Sequence, residues 1–269
     1  MTKHHHPSGF TLTELLVAIA LVITLATIGY SGYAALRNKA RMTIEINAAR
    51  NQISAYLSHA SDHSGMLLPG YLTDPEATNT DGDLLYHPMN ARYPWRLSPY
   101  VPQVDGVLLY NGNEKYLLED NSDYLVSVHS NLGINAVFVG GHYGSASPLK
   151  PSETTVELVG QFYLERLSQA EAPCKTLVFA SARSAEGSPG YFEVRPPNIM
   201  TPVWSSGKFD PSAAASQHGF VDFRWENKAV AAMLAGNVEL LDENQMRDMR
   251  RWSNQAIQEN DPDFTVTLQ

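Results

Sequence analysis

The chain has 269 residues, 43% hydrophobic and 17% charged, enough apolar material for an anchor and one substantial core, with room for a second. Its formal net charge of −9 opposes a phosphate backbone and gives a nucleic-acid partner no electrostatic support. The single cysteine, Cys174, permits no disulfide within the chain.

Residues 1–9 form a short polar leader that carries Lys3 and ends at Gly9. Phe10-Thr11-Leu12-Thr13-Glu14 follows, and an apolar run opens at once with Leu15-Leu16-Val17-Ala18-Ile19. No charged residue occurs over positions 15–36, so a helix there is about 33 Å long, close to the hydrocarbon thickness of a bilayer. It contains no proline, and an unbroken helix supplies every backbone partner that lipid cannot. Glu14 is the anomaly, because an acid inside a spanning helix costs on the order of 3 kcal/mol. Either it sits at the headgroup boundary and reaches water, or a cation offsets it.

The Gly9-Phe10 junction, the Thr11-Leu12 step, the lone Glu14 and the uninterrupted apolar run together resemble the class III signal of type IV prepilins and type II secretion pseudopilins. The resemblance implies cleavage between Gly9 and Phe10 by a prepilin peptidase, N-methylation of Phe10, and pairing of Glu14 with the Phe10 amine of the next subunit. It further implies partners: copies of the chain or other pilins in a filament, an inner-membrane assembly platform, and membrane lipid before assembly. The expected product is a structural subunit of a pilus-like or pseudopilus filament, not an enzyme, with no cofactor. It would start as a single-pass inner-membrane protein with its globular domain outside the cytoplasm, and end in a periplasmic or cell-surface filament. The alternative use of the same anchor is a tether for an extracytoplasmic domain that binds polysaccharide or secreted cargo.

An ordinary signal peptide competes with this reading, since Gly32-Tyr33-Ala34 offers a cut after Ala34. The acid inside the apolar region and a helical pattern that continues past Ala34 argue against it. Arg37, Lys39 and Arg41 make the far flank more positive than the leader, which by charge bias alone would leave the large domain in the cytoplasm. The Gly9-Phe10 junction outweighs that bias.

Beyond the span, Ile46, Ala49, Ile53, Leu57 and Ala60 recur at steps of three and four. That stripe predicts one helix from Phe10 to about Ala60, with Glu45, Arg50, Ser54 and Ser58 on its other faces. The organisation expected is therefore a leader over 1–9, a membrane or filament-core helix over 10–36, its amphipathic continuation over 37–60, and a globular domain over 61–269. Gly29 and Gly32 each cost about 1 kcal/mol relative to alanine. They are either the place where the helix bends or the ordinary tolerance of membrane helices for glycine.

Residues 64–123 are rich in Gly, Pro, Asn and Asp and read as a long connection with short strands, one of them over 106–110. Strands are expected over 124–129, 134–139, 175–180 and 191–194, with a short helix within 152–166. Ala235-Gly236-Asn237 turns a hairpin between 229–234 and 238–241, and Asp242 caps a helix over 243–257. Strands that follow a long helix, rather than alternating with helices, give an α+β class with a mainly antiparallel sheet, the architecture of a pilin.

The hairpin carries a second resemblance, to large pilin-like proteins numerous in planctomycete-type genomes, whose C-terminal signature is a His, nine residues, then Asp-Gly. Here Trp225 and Ala235 occupy the signature positions before Gly236, so shape carries over and polar chemistry does not. Asn90-Ala91-Arg92-Tyr93-Pro94-Trp95-Arg96-Leu97 also resembles those proteins and reads as a packed turn, with Arg92 or Arg96 over the indole of Trp95. The lack of a disulfide departs from many major pilins; Cys174 is expected as a small buried or edge residue. Ser147 and Lys150 have the spacing of an acyl-transfer pair, but Pro148 spoils the helical turn such a pair needs. His59 and His63 are spaced to share a zinc ion without an evident third ligand, and Asn79, Asp81 and Asp83 could present oxygens to calcium. No catalytic residue and no metal ligand is assigned.

Overall fold

The structure, a computed structural model, describes residues 10–200, 203–204 and 208–268, with the backbone alone at Ser31. The leader, Gly9 included, lies outside the described residues. One helix, α1, runs from Leu12 to Asp62, and the chain divides into two compact units, residues 1–43 and 44–269.

In the first unit every described side chain from Phe10 to Ala40 is exposed, although most are Leu, Ile, Val or Ala. A helix that is apolar all round and uncovered is built for lipid or for other helices. Two of its threonines bond within the helix: Thr24 and Thr27 donate their hydroxyls to the carbonyls of Ala20 and Ile23, each at 2.8 Å. That internal bonding is what hydrocarbon requires. Gly29 and Gly32 have open space where a Cβ would stand, so nothing packed within the subunit demands glycine there.

The second unit is α+β. Its five strands are β1 Leu132–Asn135, β2 Leu177–Ser181, β3 Glu193–Val194, β4 Lys228–Met233 and β5 Val238–Asp242, in spatial order β3-β1-β2-β4-β5. The pairs β1–β2, β2–β4 and β4–β5 are antiparallel, and β1–β3 alone is parallel. β4 shows why the sheet is a central layer: Val230 and Ala232 join the core that holds Ala49, Ile53 and Tyr56 of α1, while Ala229, Ala231 and Met233 join a second core around Phe138 and Trp252. Both faces are covered, so β4 lacks the polar alternation of a half-exposed strand.

The buried face of α1 is wider than its apolar stripe. It includes Gln52 and Tyr56, whose hydroxyl donates to the Leu68 carbonyl at 3.1 Å and whose ring meets Phe179 edge-on at 5.5 Å. Glu45, expected on another face, is fully buried. Its Oε1 accepts from the Ser181 hydroxyl, its Oε2 lies 3.6 Å from Arg224 Nη1, and Arg224 Nε is 3.0 Å from Asp222. An acid with a cation and a hydroxyl waiting for it belongs inside, and a count of apolar residues does not see this. Burial pulls the Arg224 guanidinium down, but Glu45 and Asp222 more than offset it, and it ends above its ordinary value.

Several local expectations are corrected. Residues 124–129 are not a strand; they lie mostly in a helix, α3 Ser122–Val128, entered through Asn121. The segment 106–110 makes one bridge, Asp105 to Leu109, and no strand. The helix expected within 152–166 is α4 Glu153–Val159, capped by the Ser152 side chain and ended by Gly160 at φ 76°. The C-terminal helix is broken into α5 Glu243–Arg247 and α6 Asn254–Glu259, because Asp248 turns extended and recaps the chain on Arg250 N while Trp252 is drawn into the core. In the preceding short helix α2, Tyr93–Leu97, neither arginine covers Trp95. Arg92 lies over Tyr124 and Phe192, and Arg96 is turned inward onto the carbonyls of Pro69 and Ala91. Cys174 is exposed.

Candidate functional site: the start of the helix

Thr11 and Glu14 close the first turn of α1 on itself. The Thr11 carbonyl accepts the first helical bond, from Leu15 N at 3.1 Å, which places Thr11 at the cap position. Its Oγ1 accepts from Glu14 N at 3.3 Å, and in return Glu14 Oε2 accepts from Thr11 N at 2.9 Å and from Thr11 Oγ1 at 2.7 Å. This is a reciprocal capping box, and Thr11-x-x-Glu14 is its sequence form. The sequence reading noted the carboxylate and missed that partnership. The carboxylate also lies at the positive end of the helix dipole, where a negative charge is favoured.

The box uses one carboxylate oxygen. Glu14 Oε1 makes no hydrogen bond among the described residues and lies on the exposed face of the helix. Phe10 is 80% exposed. Phe10, Thr13, Glu14, Val17, Ala18 and Leu21 share one exposed face of the helix, apolar except at Thr13 and Glu14. The structure thus places Phe10 and Glu14 one turn apart on that face. Gly9 lies outside the described residues.

The other candidates resolve into structural roles. His59 and His63 stack face to face at 4.0 Å, and His63 Nδ1 faces the His59 carbonyl at 2.8 Å, so their nitrogens do not converge on one point. Desolvation, with His63 and Arg96 adding to it against Asp62, lowers His59 to about 4. Asn79 Oδ1 already accepts from the backbones of Asp81 and Asp83 at 3.0 and 2.9 Å, and its amide donates to Asp123, so it organises that loop through protein groups. Ser147 Oγ donates to the Leu149 carbonyl at 2.6 Å. Among the described residues, no three His, Cys, Asp or Glu side chains gather as a metal site. His142 Nε2 lies 3.4 Å from Glu193, but its Nδ1 accepts from Gly144 N, which leaves the ring no free basic nitrogen.

Comparison with curated proteins and with solved structures returns no match. Residues 5–30 match the family model described as the prokaryotic N-terminal methylation motif, so the chain carries the N-terminal signal of type IV pilins and pseudopilins.

Proposed function

We propose that this protein is a structural subunit of a pilus-like or pseudopilus filament, cut after Gly9, methylated on the Phe10 amine and assembled through residues 10–36. The observation that carries the proposal is the methylation motif over residues 5–30, together with the exposure of every described side chain of residues 10–40 of the helix. Such a surface needs lipid first and neighbouring helices afterwards. Before assembly the chain is anchored in the membrane with its globular unit outside the cytoplasm.

Cleavage creates a cationic partner for Glu14, whose partners within the subunit are the neutral groups of Thr11. The freed Phe10 amine is a cation with a pKa near ~8, and methylation leaves its charge in place. The capping box holds Glu14 Oε2 and fixes the rotamer, so Oε1 is presented to the Phe10 amine of the next subunit. Away from water such a pair is worth far more than on a surface. The other cations are distant along the helix: Arg37 is about 35 Å from Glu14 at 1.5 Å per residue.

Mass analysis of the mature protein tests the processing step. The expected N-terminus is methylated Phe10, and Gly9→Val should leave the leader attached because a branched side chain does not fit beside the scissile bond. A mature chain that begins at Ala35 would establish an ordinary signal peptide instead.

A further inference from the structure

A cleft of about 340 Å³ in the second unit, remote in sequence from the assembly helix, is lined by Lys175, Asp248, Arg250, Arg251 and Asn260 with apolar Ala172 and Ile257. Three cations stand against one carboxylate in its lining, with Asp261 beside Arg250 and Glu239 beside Arg251 just outside it. The carboxylate in the lining is already spent. Asp248 Oδ1 accepts from Arg250 N and Nε, and its Oδ2 accepts from Arg250 Nη2 at 2.7 Å. Asn260 Oδ1 takes Arg250 Nη1 at 2.8 Å. Arg250 is thereby held rigid, with N–H donors to spare out of the five a guanidinium carries.

The remaining two cations are not saturated. Lys175 is exposed, and its ammonium has no ion-pair or hydrogen-bond partner among the described residues. Arg251 has a single long contact, Nη1 to Glu239 Oε2 at 3.4 Å, and the Glu239 side chain is 40% exposed. A rigid guanidinium, a loosely held one and an unpaired ammonium around one concavity are the donor set that a tetrahedral or planar oxyanion satisfies.

We infer that the cleft lined by Lys175, Arg250 and Arg251 binds an oxyanion group, a phosphate or a carboxylate. Lys175 supplies a point charge, Arg250 a fixed fork, and Arg251 a second fork for which Glu239 competes. The ligand is polar and small enough for one anionic group to enter, with Ala172 and Ile257 against its carbon skeleton.

The test is calorimetric titration of the full-length protein in non-ionic detergent with inorganic phosphate, and separately with acetate, at constant ionic strength with chloride as the background. Saturable one-to-one binding is expected. Lys175→Gln should weaken it about tenfold, the worth of one charge-assisted hydrogen bond. Lys175 is exposed and unpartnered, so that variant should melt like the parent. Glu239→Gln keeps a side-chain oxygen for Asn237 but releases Arg251, and should tighten binding severalfold. Saturation with phosphate alone identifies a phosphate ligand; saturation with acetate showing the same variant pattern identifies a carboxylate. Absence of saturable binding by either anion, or equal affinity in the parent, Lys175→Gln and Glu239→Gln, overturns the inference.

Discussion

Replacing Glu45 by alanine removes the only acid of α1 that is buried in the core of the second unit, and its cost can be worked from its partners. Arg224 loses a carboxylate at 3.6 Å but keeps Asp222 at 3.0 Å, so it is not left unpaired. The Ser181 hydroxyl loses its carboxylate acceptor and keeps only the Val230 carbonyl at 3.5 Å, while its oxygen still takes Val230 N at 2.9 Å. Breaking a buried pair costs 3–5 kcal/mol in general, and the surviving Asp222 contact places Glu45→Ala near the lower end, about 3 kcal/mol. Glu45→Gln keeps an oxygen for Ser181 and forfeits only the charge, for about 1–2 kcal/mol. Arg224→Ala strands both Glu45 and Asp222 and should be the worst, about 4–5 kcal/mol. All four tryptophans, at 95, 204, 225 and 252, lie in the second unit, so their fluorescence during urea unfolding reports that unit. The Glu45→Ala midpoint should fall by at least ~1 M urea. A midpoint within ~0.3 M of the parent, or Arg224→Ala milder than Glu45→Gln, would refute the reasoning.

The two glycines of the apolar helix should matter in assembly rather than in folding: Gly29→Ala with Gly32→Ala stabilises the helix by about 2 kcal/mol, fits the open space at both positions, and should lower filament yield. Normal filaments from that variant would leave the glycines no role beyond tolerance. A pH dependence follows from His59, whose folded value of about 4 lies below the ordinary value of 6.5. The unfolded chain then binds more protons between those values, so stability present at neutral pH is lost as pH falls from about 6.5 to about 4 and changes little below. Allowing for solvent screening, the loss is about 1–2 kcal/mol, and His59→Gln should flatten that part of the denaturation-against-pH curve.

What was legible in the sequence was what neighbours along the chain decide. The span of α1 follows from an uninterrupted apolar run without proline, and the β4–β5 hairpin from Ala235-Gly236-Asn237, with Gly236 at φ 91°. The first-turn box is also written in the sequence, as Thr11-x-x-Glu14, where the same acid reads equally as a charge inside an apolar span. The parts that failed depend on distant groups. Tyr124-Leu125-Val126 reads as a strand by composition, yet the run is too short to separate strand from helix. Its Val126 is fully buried in the first core as part of α3. Glu45 looked like a solvent residue because Ser181 and Arg224, which make it a core residue, lie more than a hundred positions away. The break at Asp248 depends on Trp252, whose indole donates to the Met246 carbonyl at 2.7 Å inside the core.

The central claim, that the first turn of the helix joins one subunit to the next, is tested most directly by the fate of Glu14→Gln. Cells making the parent, Glu14→Gln and Glu14→Asp are sheared, and the filament and membrane fractions are compared while leader cleavage is followed on the same samples. Cleavage should be equal in all three, since neither insertion nor proteolysis uses the charge. Glu14→Gln should remain in the membrane, or enter filaments only beside parent subunits, because an amide cannot pair with the Phe10 amine as a carboxylate does. Glu14→Asp should be intermediate, its shorter arm weakening both the cap and the pair. A Glu14→Gln protein that is cleaved and recovered in sheared filaments at the parent's level would contradict the pairing and favour a tethered binding protein.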